Sequence, residues 1–435
     1  MSELTFKPYI YTFIDENDEL YSNAIIALYR GVFPVKLTTY QRFVGDTKRT
    51  KHMYSQNQDE VRRVCNFLNY VLIDYYVKYK AKSLSEIPFQ AVVDYICDYA
   101  ITKTRFNDYP SEQSVMKERN AVCMFMHNLS EDLKKKDHYY TRKIKSSVIA
   151  MPRTRYLALS KRKETTIWEY EIPVNYCGKH EYRLVRDIPQ KAIGSILKWV
   201  NLIEPELYFA VVLQLSAGLR EGEAVNVRRT DSIYPTGIRI VKENGKIISF
   251  EIDLTRVYSL RSDGVLVGDI KRKRMQQVYP PFLPIVQKAY EQHLRLMELK
   301  TLEEQKPMFV CTRKKKKIGC NLAITKKNYC DRISNVIVKY VVPELINSSD
   351  PELVAFAMAV TEGSWGLHAF RHWFTVQLVL NDEDANSIAF WRGDSSTKTA
   401  FWYLQNKGIL MKKYTNITNI VTDDIMKVIS EMEIE

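Results

Sequence analysis

No stretch of this 435-residue chain approaches the roughly 18–20 consecutive apolar residues of a membrane-spanning helix, so no helical span is expected. A secretory leader is missing too. The start, "MSELTFKPYIYTFIDENDEL", carries acids where such a leader has a basic head and an apolar middle, which leads us to expect a cytoplasmic protein. The cysteines fit that compartment. There are seven, at 65, 97, 123, 177, 311, 320 and 330, an odd and scattered set with no CxxC pair. "CGKH", Cys177 to His180, has metal-like spacing but no second pair of ligands nearby, so zinc is not expected. Internal repeats and low-complexity segments are absent, which removes solenoids and fibrous arrays.

What is present is a surplus of positive charge. Lys and Arg number 64 against 51 Asp and Glu, a net +13, and such a balance favours a polyanionic partner, nucleic acid or an acidic membrane surface. The hydrophobic fraction, 46%, is that of a folded protein, and the length implies two or three domains.

Residues 1–55 read as short extended pieces without a legible role. From about 57 the period becomes helical: Val61, Val64, Leu68, Val71, Leu72 and Tyr75 fall on one face. A second helix starts near Pro88, with Phe89, Val92 and Ile96 on its stripe. Ser111 is placed to cap a third, carrying Val115, Val122, Met126, Leu129 and Leu133. Residues 56–138 thus form a small helical domain. Residues 139–163 of the segment 139–186 hold eight bases and no acid: Arg142, Lys143, Lys145, Arg153, Arg155, Lys161, Arg162 and Lys163. A charge run is commonly a solvated linker. Interleaved aromatics and prolines favour instead a linker lying along a phosphate backbone.

A larger domain covers 187–410. Asp187 and Pro189 open a helix, and "PELYFAVVLQLSAG" is an apolar helix ended by Gly218. "GIRIVKENGKIISFEI" alternates across Asn244-Gly245, a type I′ hairpin signal, and "GVLVGDIKRKRMQQVYP" (264–280) reads as a further hairpin-like piece. Helices follow Pro284. In the tail, 411–435, Thr422 is placed to cap a helix whose stripe is Ile425, Val428, Ile429 and Met432.

Three short motifs stand in order within the larger domain: "SAGLREGEA" with Arg220, "LHAFRHWF" with His368 and Arg371, and "WRGDSSTKTAFWY" ending in Tyr403. Each alone has an ordinary explanation. Together they resemble the tyrosine recombinase (phage integrase) family, whose pattern is A-G-L-R-x-x-E, then H-x-x-R, then a G-H-S-like turn nine residues before a nucleophilic tyrosine. The resemblance implies a mainly α fold with a small antiparallel β-sheet. A helical core-DNA-binding domain and a mixed α+β catalytic domain would clamp duplex DNA. It also implies strand cleavage through a 3′-phosphotyrosine, without cofactor or metal.

The chemistry explains the residue types. A phosphodiester is anionic, so attack requires that charge building on its oxygens be neutralised, and Arg220 and Arg371 are the candidate donors. Tyr403 is the candidate nucleophile, with Tyr414 its nearest rival. A phenol with a pKa near ~10 needs a base, and His368 on the Arg371 face is the expected one, with His372 read as structural. The resemblance implies a lysine on a β-hairpin as acid for the leaving 5′-oxygen. Lys271 fits that context, with Lys273 and Lys246 as rivals, and Glu223 is implied to orient Arg220. One position departs from the pattern. Asp394 stands where histidine or tryptophan is usual, and a carboxylate there repels a phosphate unless protonated, paired or turned away; Trp391, Arg392 or Ser395 could then supply the missing contact.

The resulting expectation is a site-specific DNA recombinase or integrase of a mobile element or phage. Its partners would be double-stranded DNA sites, copies of itself in a tetramer, and accessory DNA-bending or directionality proteins. The tail helix would dock on its own catalytic domain or, as the resemblance implies, on a neighbouring protomer. The alternatives are a type IB topoisomerase-like enzyme, or a non-catalytic DNA-binding protein, for which Asp394 is the only support.

Overall fold

The computed structural model describes residues 4–45, 54–104, 108–135, 153–154, 166–167, 172, 174–177, 188–232, 237–298, 306–311, 322–362 and 366–405. The chain divides into two compact units, Met1–Phe13 with Tyr21–Tyr182 and Ile14–Leu20 with Arg183–Glu435. The secondary structure is mainly helical, with small antiparallel sheets.

In the first unit, β1 (Leu4–Ile14), β2 (Leu20–Arg30) and β3 (Phe33–Leu37) form a sheet in that order, β2 running antiparallel to β3. Two of these strands run for eleven residues each, longer than the short extended pieces expected there. Ser22, Ala24 and Ile26 of β2 alternate into the interior, and Ala24, Ile26, Phe43 and Val44 share one core with the helices. Those helices are α1 (Tyr54–Asn69), α2 (Phe89–Ile101) and α3 (Glu112–Lys135). Val61, Val64 and Leu68 of α1, Val92 and Ile96 of α2, and Val115, Val122, Met126 and Leu129 of α3 are all buried, as their spacing requires. Tyr75 is the exception. A five-residue π turn over Tyr70–Asp74 shifts the helical phase, and Tyr75 turns out to solvent.

The second unit opens with α4 (Gln190–Ile203) and α5 (Pro205–Ala217). Helix α5 is buried on nearly every side and stops at Gly218, whose φ of +60° places it in the left-handed region. A Cβ there would meet the Phe374 ring at 2.5 Å, so glycine is required twice over. Strands β4 (Ile238–Glu243) and β5 (Lys246–Leu254) pair through Asn244 (φ 48°) and Gly245 (φ 79°), the two positive φ values of a type I′ turn. β6 (Arg274–Gln277) adds to β5, with Leu254 opposite Arg274 and Glu251 opposite Gln277. The second hairpin expected over 264–280 is thus a single short strand. The stretch before β6 has other work: Lys326 N–H bonds to Val267 O, and Gly268 lies so close to Gly222 that a Cβ would meet its backbone at 2.8 Å.

Helices α6 (Leu283–Glu298), α7 (Lys326–Val336), α8 (Pro351–Thr361), α9 (His368–Leu380), α10 (Ala385–Arg392) and α11 (Lys398–Gln405) complete the unit. Side-chain oxygens of Thr325, Asp350 and Asp384 cap α7, α8 and α10. Phe370, Trp373 and Phe374 of α9 fix it to the core. Among the described residues, no helix is long and apolar enough to cross a membrane. Asp187, the tail 411–435, and the basic side chains Arg142, Lys143, Lys145, Arg153, Arg155, Lys161, Arg162 and Lys163 lie outside the described residues, as do Ile425 and its stripe. Of the basic set, only the backbone of Arg153 is described, in a two-residue ladder with Thr166–Ile167.

Candidate active site

Gly218 releases the chain from α5 so that Arg220 precedes a single helical turn, Glu221–Ala224. Glu223, fully buried in that turn, reaches back. Its Oε2 accepts the Arg220 backbone N–H at 3.0 Å and its Oε1 the Arg220 guanidinium at 2.9 Å. Arg274, at the start of β6, grips the same carboxylate with two bonds of 3.0 Å, a forked pairing that Lys could not make. Burial alone would raise the Glu223 pKa. The Arg274 hydrogen bonds, with the charges of Arg274 and Arg220, hold it down at about 2. Glu223 therefore orients one arginine and is itself fixed by a second.

Arg371, on α9, is 1% exposed. One Nη donates to Gly218 O and the other to Asp394 Oδ1 at 2.6 Å. Arg220 Nη2 donates to that same Oδ1 at 3.1 Å, while Arg392 Nε donates to Oδ2 at 2.6 Å. Asp394 is paired, which resolves its departure from the family pattern: its carboxylate lies where three guanidinium groups converge. Burial would raise its pKa, but Arg392, Arg371 and Arg220 lower it, so it is ionised. Of the three neighbours named for that contact, Arg392 joins the cluster, anchored on Thr375 Oγ1, whereas Trp391 packs edge-on against Tyr279. Gly393, at φ +64°, terminates α10 beneath the Arg274 side chain, which leaves no room for a Cβ.

Arg371 carries the cost of this crowding. Burial first, then the like charges of Arg392 and Arg220, pull its pKa down to about 9 against the support of Asp394 and Glu223. Its buried Nε has no hydrogen-bond partner among the described residues. Among the described residues these four guanidinium groups face two carboxylates, Glu223 and Asp394, so the cluster has excess positive charge and is suited to a further anion.

His368 opens to solvent at the start of α9, and partial desolvation, with the charges of Arg371, Arg392, Arg220 and Lys271, lowers its pKa to about 4. It stands on the arginine side. His372 does not turn away into a structural role as its sequence position suggested. Its Nδ1 meets the hydroxyl of Tyr403, and its ring packs edge-to-face on His368 with centroids 4.8 Å apart. Tyr403, on α11, is fully buried, and the Arg392 guanidinium lies 5.8 Å from its ring centroid. The signal for His372 was its spacing: positions i, i+3 and i+4 of a helix share one face, and these are His368, Arg371 and His372.

Among the lysines, Lys271 is exposed on the turn leading into β6, near enough to His368 to act on it. Neighbouring Arg272 donates to the backbone O of Asp394, which ties that turn to the arginine cluster. Lys273 is engaged by Glu19. Lys246 begins β5, eight residues from Leu254, roughly 26 Å away along an extended strand. Among the described interactions, Lys271 rather than Lys273 or Lys246 acts on a histidine of the cluster. Ser395 has no described contact that assigns it a part, and Tyr414 lies outside the described residues.

Glu223→Gln tests the frame. Removing one partner of a buried network is expected to cost about 3–5 kcal/mol of stability, because Arg220 and Arg274 are left uncompensated. The folded pKa, about 2, lies below the ordinary ~4.3. The Glu223 contribution is therefore present above the unfolded value and fades as pH falls toward about 2. Denaturant titrations of both proteins should show a gap that narrows with falling pH; a gap independent of pH would sink the assignment.

No family model matches this sequence, and no curated protein matches it. Solved structures do. XerH site-specific recombinase bound to difH in a pre-cleavage complex shares 13% identity at a TM-score of 0.46, over 80% of this chain and 76% of that one. Tn1549 transposon integrase in complex with transposon right end DNA shares 10% at 0.46, over 90% and 100%. A lambda integrase dimer bound to a COC′ core site shares 9% at 0.37, over 85% and 94%. Likenesses this distant leave the functional reading to the residues of the site.

Proposed function

We propose that the protein is a DNA strand-transfer enzyme of the tyrosine recombinase type, cleaving and rejoining DNA through a 3′-phosphotyrosine. The observation that carries this reading is the meeting of Arg220 and Arg371 on one oxygen of Asp394, with a histidine-bound tyrosine on the neighbouring helix. A carboxylate oxygen that accepts from two guanidinium groups stands in for a non-bridging phosphate oxygen. When a DNA phosphate enters, the two forks neutralise the charge that builds on phosphorus-bound oxygen during attack. His368, beside the cations, contacts the bound phosphate. Lys271 gives its proton to the departing 5′-oxygen. Rejoining runs the same steps backwards, with the bond energy held in the phosphotyrosine.

In its finer form the reading is site-specific. The protein integrates or excises a mobile element or phage, in the cytoplasm on nucleoid DNA, as a tetramer on paired duplex sites with accessory DNA-bending proteins. The basic segment 139–163 would follow the phosphate backbone.

The DNA site itself can be found by the same test. The full chain is incubated with nicked duplexes of random sequence, denatured with detergent, and assayed for covalently attached DNA. A nick just downstream of the cleaved bond lets the short piece bearing the freed 5′-hydroxyl diffuse away, so the adduct accumulates. Selective capture of a sequence is the expected result, and total absence of adduct would overturn the enzyme reading. With the captured sequence in hand, Lys271→Ala is expected to slow cleavage of ordinary DNA, on the order of 10²–10⁴-fold as for other acid catalysts. A 5′-phosphorothiolate at the cleaved bond should restore the rate, since sulfur leaves without a proton. Lack of restoration would move the acid elsewhere.

A further inference from the structure

We infer that His372, rather than His368, takes the proton from Tyr403 at the moment of attack. The inference rests on the reading of Tyr403 as nucleophile and adds a residue to it. Three observations carry it. First, His372 Nδ1 meets the Tyr403 hydroxyl. With the ring proton on Nε2, Nδ1 is the acceptor and the phenol the donor, the arrangement a base requires. Second, the two histidines divide the site. His368 feels the charges of Arg371, Arg392, Arg220 and Lys271, while His372, one turn further along α9, feels Arg371 and Arg392 of these and bonds to Tyr403 on α11. Third, the pair is built as a unit: the rings are 4.8 Å apart and perpendicular, and Arg392 reaches from Asp394 to the Tyr403 ring.

The protonation state agrees with the geometry. Burial, then His368, Arg392 and Arg371, lowers the His372 pKa to about 4, so the ring is neutral and able to accept at neutral pH. The same cations make it a weak base in the empty site. A phosphate bound between the arginines opposes that repulsion and strengthens the base when substrate is present. The step balances: Oη–H gives its proton to Nδ1, Oη forms a bond to phosphorus, and the bond from phosphorus to the 5′-oxygen breaks. That oxygen takes a proton from Lys271. On rejoining, His372 returns its proton to the tyrosine.

His372→Asn and His372→Ala separate proton transfer from mere positioning. Asn can accept the hydroxyl's hydrogen bond but cannot hold a proton. With the captured nicked duplex as probe, His372→Asn is expected to bind DNA like the parent and to form adduct on the order of 10²–10³-fold more slowly. Added imidazole should restore much of the loss in His372→Ala, by filling the vacated space with a diffusible base. An Asn variant within threefold of the parent overturns the inference, because a hydrogen bond alone then suffices. A DNA-binding Ala variant that imidazole cannot rescue overturns it as well. Adduct from Tyr403→Phe would instead remove the underlying nucleophile assignment, so the two failures are distinguishable.

Discussion

Tyr403→Phe is expected to leave DNA affinity unchanged and to abolish the covalent adduct. The substitution removes one oxygen from a side chain that is otherwise fully buried, and the ring still fills its place beside Arg392. What is lost locally is the hydrogen bond to His372, worth about 1 kcal/mol net, which a domain of this size tolerates. What is lost chemically is everything, since no other atom of the side chain can bond to phosphorus. Gel-shift titration and detergent-resistant labelling on the same duplex check both halves. Adduct from the Phe variant would show Tyr403 to be the wrong tyrosine, and Tyr414 would be the next to replace.

Much of this site can be read without coordinates, and the parts that cannot share a physical reason. Arg220, His368, Arg371, Glu223 and Tyr403 are legible because each sits at a fixed offset within a short local pattern. The helices of both units are equally legible, since burial every three or four residues writes itself into the sequence. Three features were not. Strand β2 mixes small buried groups such as Ser22 and Ala24 with Leu20 and Ile26, and apolar Ile25 falls on its other face, so its alternation carries little apolar contrast. The segment 264–273 looks like a strand but gives its backbone to Gly222 and Lys326, a tertiary demand that no local rule contains. The partners of Asp394 come from residues 174, 23 and 2 positions away, and only the last, Arg392, was near enough to be suspected.

Asp394 also changes the meaning of the departure from the family pattern. A carboxylate at this position looked like the mark of a decayed site. In the folded chain it is the group that holds Arg220, Arg371 and Arg392 together against their mutual repulsion. The cluster is charged in excess even so, and Arg371 bears most of that cost. An acidic residue that organises the arginines is consistent with the proposed activity, in which a phosphate oxygen takes the place of its carboxylate oxygen.

Arg371→Met is the substitution in which stability and activity should part most widely. Methionine roughly matches the buried stem and removes the charge. Two losses oppose folding: Gly218 O is left without its donor, costing about 1–3 kcal/mol, and Asp394 loses one of three guanidinium partners. One gain favours it. Asp394 keeps Arg220 and Arg392, so no buried charge is left unpaired, and the repulsion of Arg371 with those two arginines is relieved. The terms are comparable, so the variant should fold with stability close to the parent. Catalysis has no such compensation. In the proposed reaction Arg371 donates to the position where phosphate charge develops, and loss of one such donor elsewhere costs about 3–4 kcal/mol of transition-state stabilisation, on the order of 10²–10³ in rate. Thermal unfolding should therefore shift little while adduct formation under single-turnover conditions falls by that factor. Weakened DNA binding with an unchanged cleavage rate would show Arg371 to be a binding residue only, and the role given to the arginine pair would have to be withdrawn.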